Sequence, residues 1–82
     1  MIDIRDLVRN FINNNFIVGK EIEYLDGDSL LDKGIVNSTG VLELMLFLEE
    51  EFKIVIKDEE VTIENLDSVS KIIKFVEAKL DR

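Results

Sequence analysis

Histidine, cysteine, proline and tryptophan are all missing from this chain. Without histidine or cysteine it has neither the commonest general base and metal ligand nor a thiol nucleophile, and no disulfide framework is possible. Any thiol or acyl chemistry has to use a borrowed group. Without proline, helices can run unbroken. Cations are scarce as well: ten Lys and Arg stand against eighteen Asp and Glu, a net charge of -8. Nucleic acid and anionic membranes both need a basic surface to meet phosphate, so neither is an expected partner. Basic protein surfaces are. No apolar run approaches the length of a membrane span, and Met1 leads into Asp3, Arg5 and Asp6 in place of a signal peptide's apolar stretch. The expectation is a cytoplasmic monomer with no stable membrane insertion.

What is present fits one domain over residues 1–82, with 46% hydrophobic residues. At this length folding buries only about 60% of the unfolded chain's surface, too little to enclose a deep catalytic cleft. Ile4, Leu7, Val8, Phe11 and Ile12 follow the spacing of a helix face, with Asp3 as N-cap and Asn13, Asn14 and Asn15 as the stop. From Phe16 to Val36 runs a connection holding Gly19, Gly27 and Gly34. So long a loop in a small domain is usually either functional or a sign of a wrong assignment, and its many apolar residues predict that it is ordered and packs on the core. A second helix runs from near Ser38 to about Phe52, with Val41, Leu44, Met45, Leu48 and Phe52 as its core stripe. The β-branched run Ile54, Val55, Ile56 could be a strand in isolation but alternates poorly and has no partner strand. Thr62 to Leu66 reads as one helical turn, and Ser68 caps a last helix with Val69, Ile72, Ile73, Val76 and Leu80 inward. The fold class is all-α: a four-helix bundle with a long first loop and a short third helix.

The second helix carries more apolar surface than one stripe needs. Thr39, Leu42, Glu43, Leu46 and Glu50 share another face, with Phe47 at its edge. Either the leucines are buried by wrapping the helix on nearly all sides, or they form a docking strip toward which Glu43, Glu49, Glu50 and Glu51 steer basic partners. Three of those glutamates sit near a helix C-terminus, where the dipole disfavours them. That placement favours a partner-related role.

The order Leu31, Asp32, Lys33, Gly34, three residues, then Ser38 and the helix Thr39-Gly40-Val41-Leu42-Glu43-Leu44 resembles the acyl carrier protein family. The likeness continues through Leu48 to Phe52, Ile54, Ile56, the acidic Asp58-Glu59-Glu60 and the last helix, so it covers nearly the whole chain. It implies that Ser38 carries 4'-phosphopantetheine, attached by a phosphopantetheinyl transferase with Mg²⁺. It further implies that acyl- or aminoacyl-activating and acyl-transferring enzymes with basic docking surfaces bind near Asn37, Thr39, Leu42, Glu43, Leu46, Phe47, Glu49 and Glu50. The chain itself would catalyse nothing. Two positions depart from the family's pattern: Asn37 replaces the usual Asp before the serine, and Thr39 the usual Leu after it. Independently, a helix N-terminus tolerates a phosphodiester well, although Ser38 or Asn37 could equally serve as the N-cap.

Other readings are weaker. Asp28-Ser29-Leu30 spells the family's usual attachment tripeptide, but Leu31-Asp32-Lys33-Gly34 cannot open a long amphipathic helix, which leaves Ser29 in a loop. Asn37-Ser38-Thr39 fits a glycosylation pattern without a secretory signal. A calcium loop starting at Asp26 finds Leu30, Leu31 and Asn37 where a ligand, a glycine and a glutamate are needed, so no metal is expected. No nucleophile and base pair points to an enzyme. A carrier fold without the arm, serving only protein interaction, is the remaining alternative.

Overall fold

Helix α1 (Ile4–Asn15) turns Val8 and Ile12 fully into the core, with Ile4 and Phe11 packed beside them. The computed structural model describes residues 3–81, and all regular structure among them is helical. Asp3 holds the cap position of α1, but its side chain makes no cap bond. The asparagines do not break the helix. It runs through all three, and Asn15 Nδ2 donates to the Phe11 carbonyl at 2.8 Å.

Helices α2 (Ser38–Phe52), α3 (Ile63–Leu66) and α4 (Val69–Leu80) complete the bundle, and α4 packs against each of the other three. Ser68 caps α4 as its sequence predicts, its Oγ accepting the Lys71 N–H at 3.1 Å. Val69, Ile72 and Val76 are fully buried and Ile73 is half-buried. Leu80, expected inward, is exposed instead. It lies in the last turn, and among the described residues the hollow there is lined by α4's own Glu77 and Ala78 and by Asp81.

Between α2 and α3 the backbone turns at Lys53, whose φ of 57° is left-handed, and Ile54 to Ile56 run extended. Ile54 and Ile56 are buried while Val55 is 74% exposed, so the alternation is complete after all. What is missing among the described residues is a second strand. The Ile56 N–H goes to the Glu49 carboxylate at 2.9 Å in place of a ladder partner, which satisfies a buried donor that would otherwise be costly. A 3-10 turn (Asp58–Glu60) follows. Glu60 Oε1 accepts both the Lys57 N–H at 2.9 Å and Lys79 Nζ at 2.7 Å, which fastens the turn to α4.

The long loop is ordered by specific ties. Tyr24, Leu30, Ile35 and Val36 are buried, although Val18, Leu25 and Leu31 remain exposed. Arg5 and Arg9 both donate to the Asp26 carboxylate, the latter at 2.8 Å, and the Arg9 guanidinium lies 4.3 Å above the Tyr24 ring. Tyr24 donates its hydroxyl to Asn13 Oδ1 at 2.9 Å, and the Ser70 N–H reaches the Asp26 carbonyl at 2.9 Å. Hydrogen bonding to Arg5, reinforced by Arg9, holds the Asp26 carboxyl below the usual carboxylate range. Asp26 therefore joins the loop to α1 through its side chain and to α4 through its backbone.

Candidate functional site

The approach to Ser38 is set by backbone geometry. Residues Leu30 to Lys33 make one helical turn that ends at Gly34, with φ of 70°. The Gly34 N–H bonds to the Leu31 carbonyl at 3.0 Å and the Ile35 N–H to the Leu30 carbonyl at 2.9 Å. This pair of bonds is the Schellman stop signal, and its left-handed residue is favourable only as glycine or, less often, asparagine. Leu30 and Ile35, its flanking apolar pair, are both buried. The glycine spacing noted in the sequence thus has a physical cause. It ends one turn and aims Val36 and Asn37 at the start of the next helix.

Asn37 is the N-cap of α2. Its Oδ1 accepts the Gly40 N–H at 2.7 Å, and its extended backbone ends the loop. Ser38 is thereby relieved of capping. Its side chain is exposed, and among the described residues its hydroxyl has no hydrogen-bond partner. No acidic residue lies in the first turn, so the positive end of the helix dipole is not neutralised by α2 itself. Gly40 is buried. A Cβ there would stand 3.0 Å from the Phe16 ring and 3.3 Å from Val36 Cγ1. Glycine here lets the start of the loop pack against the first turn of α2 without displacing the Phe16 ring.

Beside Ser38 opens an apolar groove of about 270 Å³. Leu30, Leu31 and Val36 form its loop wall, Ser38 and Val41 belong to α2, and Val61, Thr62, Ile63 and Leu66 complete the lining. Asp67, only 8% exposed, closes one end. Its carboxylate accepts the Ser29 hydroxyl at 2.6 Å and the Leu31 N–H at 3.0 Å. Nothing in the sequence signalled this contact, because 38 residues separate Ser29 from Asp67. An acid just before a Ser cap reads as ordinary helix-start chemistry.

The second face of α2 is open to solvent. Leu42 and Leu46 are each 54% exposed, and Thr39, Glu43 and Glu50 are exposed around them. Two other residues expected on that surface have intramolecular partners. Phe47 stacks on Phe11 with ring centroids 4.2 Å apart and meets Phe52 edge-on at 6.3 Å, tying α2 to α1. Glu49 accepts the Ile56 N–H. Elsewhere, Asp26 is taken by two arginines, and Asp28 accepts the Leu25 N–H at 2.8 Å with Lys33 at 3.4 Å.

A small helical bundle that displays one free serine hydroxyl at a helix start, beside an apolar groove and an exposed apolar strip, has the architecture of a carrier domain. No family model matches the chain. Individual relatives do. An acyl carrier protein of Buchnera aphidicola is 33% identical over 79 residues, spanning 96% of this chain and 95% of that protein. A D-alanyl carrier protein of Streptococcus suis is 28% identical over 74 residues, 90% and 91% of the two chains. The chain belongs to the acyl carrier protein family: it is a carrier and not itself an enzyme.

Proposed function

We propose that Ser38 bears 4'-phosphopantetheine and that the chain presents acyl or aminoacyl groups on that arm to partner enzymes in the cytoplasm. The observation that carries this reading is the division of labour between neighbours: Asn37 caps α2, which leaves the Ser38 hydroxyl exposed and unbonded. In attachment, Ser38 Oγ forms a bond to the pantetheine-side phosphorus of coenzyme A. The pyrophosphate P–O bond breaks, adenosine 3',5'-bisphosphate leaves, and the hydroxyl proton passes to a base of the transferase, which also holds the Mg²⁺. The unneutralised N-terminus of α2 favours the resulting phosphodiester. Once in place, the arm supplies a thiol that holds the cargo as a thioester.

Leu42 and Leu46 offer apolar contact area, Glu43 and Glu50 draw basic partners toward it, and Asn37 and Thr39 border the modified serine. Phe47 and Glu49 support this strip from inside. The apolar groove next to Ser38 is the place for a short stretch of acyl chain.

Incubation with coenzyme A, Mg²⁺ and a broad-specificity phosphopantetheinyl transferase, followed by mass spectrometry, tests the reading. The mass should rise by one phosphopantetheinyl group, and the Ser38→Ala variant should not change. No increase would support the alternative suggested by Asn37 in place of the family's usual Asp: an interaction module on a carrier fold. An increase that survives Ser38→Ala would place the arm elsewhere.

A further inference from the structure

Asp67 is a buried acidic residue whose backbone ends α3 but whose carboxylate serves no cap, because α4 is capped by the Ser68 side chain. Its carboxylate reaches instead to the loop that leads to Ser38. It accepts from the Ser29 hydroxyl at 2.6 Å and from the Leu31 N–H at 3.0 Å, while its own carbonyl accepts the Leu30 N–H at 2.7 Å. The Ser29 oxygen in turn accepts the Asp32 N–H at 3.0 Å. Hydrogen bonds to a carboxylate are short and strong; two of them, with the backbone bond from Leu30, tie Asp67 to three consecutive loop residues. Leu30 and Leu31 form the loop wall of the groove beside Ser38, and Asp67 itself closes one end. The other wall, Val61, Thr62, Ile63 and Leu66, is held from its other end by the ion pair of Glu60 with Lys79 at 2.7 Å.

We infer that Asp67 is a positioning residue that latches the loop wall and so sets the size of cargo the groove admits. This inference rests on the reading of Ser38 as the attachment point. An apolar cavity of about 150 Å³ accommodates a benzene ring. With both walls fixed, 270 Å³ has room for a chain of roughly ten carbons at most. Longer chains run out of the open side of the groove unless the wall of Leu30 and Leu31 moves, which breaks the bonds to Asp67. The groove therefore favours short or medium neutral acyl chains.

The test uses the full chain and its Ser29→Ala and Asp67→Asn variants, each loaded from butyryl-, octanoyl-, dodecanoyl- and palmitoyl-coenzyme A by a transferase. In the parent chain the melting temperature should rise from butyryl to octanoyl and then level off. In both variants the rise should continue to dodecanoyl. A uniform drop with the same levelling point would make Asp67 merely structural and overturn the inference, as would a parent whose melting temperature climbs through palmitoyl. Failure to load counts against the attachment site itself, and a second measurement on unmodified protein then decides the latch alone. Exchange of the Leu31 amide hydrogen, the one bound to the carboxylate, should be roughly tenfold faster in Asp67→Asn than in the parent chain, as expected when a charge-assisted hydrogen bond is weakened. Unchanged exchange overturns the latch.

Discussion

The side chain of Asn37 holds the Gly40 N–H at 2.7 Å, and the residue between cap and helix body that gains its freedom from this bond is Ser38. The cap satisfies one of the donors that every helix start leaves open. Removing it with Asn37→Ala should cost about 1 kcal/mol of stability in urea unfolding. Asn37→Asp keeps the acceptor and adds a negative charge at the positive end of the dipole, so it should gain about 0.5 kcal/mol at low salt. It should also raise the modification rate by transferases that expect the carboxylate. If Asn37→Ala leaves stability unchanged, the cap is not what organises this turn.

Gly40→Ala sets two effects against each other. Alanine favours the helix by about 1 kcal/mol, but its Cβ would lie 3.0 Å from the Phe16 ring. Overpacking of this kind costs about 1–3 kcal/mol, so a net loss is expected. Phe16→Leu should relieve part of it. A double-mutant cycle between the two positions should return a coupling of at least about 0.5 kcal/mol; additive effects would rule out the contact.

Replacing Leu42 or Leu46 with Asp should change stability by less than about 0.5 kcal/mol, since both stand largely in water. Leu44→Ala, on the buried face of the same helix, should cost about 2–5 kcal/mol. The modification rate separates the two faces in the opposite sense. It should fall about tenfold or more for the exposed leucines if they contact the transferase, while a folded Leu44 variant should retain it.

Asp26 makes stability depend on pH in a definite direction. Its folded-state pKa lies below the ordinary carboxylate value, first because of the hydrogen bond from Arg5 and then through Arg9. On acidification the unfolded chain takes up this proton first. The contribution is therefore complete above about pH 4, the unfolded value, and is lost as pH falls through the folded-state pKa. Asp26→Asn should weaken the chain at neutral pH by less than about 1 kcal/mol, because the pair is partly exposed, and should flatten the acid limb of a urea-midpoint profile. High salt should shrink the difference. An acid limb of unchanged slope would remove Asp26 from the account.

Periodicity carried most of the helix reading. The apolar positions of α1, α2 and α4, the Thr62 turn and the Ser68 cap all follow from spacing and cap chemistry that a single segment contains. Tertiary packing decided two segments: the asparagine stop expected for α1 did not hold, whereas the expected absence of a strand at Ile54 to Ile56 did. The three asparagines have weak helix propensity, but tertiary packing of Val8 and Ile12 carries α1 through them. The Ile54 to Ile56 run has strand-like alternation, yet a strand needs a neighbour, and a carboxylate on α2 supplies the missing acceptor.

The site divides in the same way. The start of α2 near Ser38 was legible in the sequence, as was a glycine turn before it; that Leu30 to Gly34 form a helical stop signal emerged only from the backbone bonds. Which of Asn37 and Ser38 caps the helix was open in the sequence, and the orientation of one side chain decides it. Likewise the exposure of Leu42 and Leu46, the claim of Phe11 and Phe52 on Phe47, the fit of Phe16 against Gly40 and the hold of Asp67 on the loop follow only from the tertiary structure. Each is a contact between distant segments or the lack of one. No local pattern encodes where the chain brings them together.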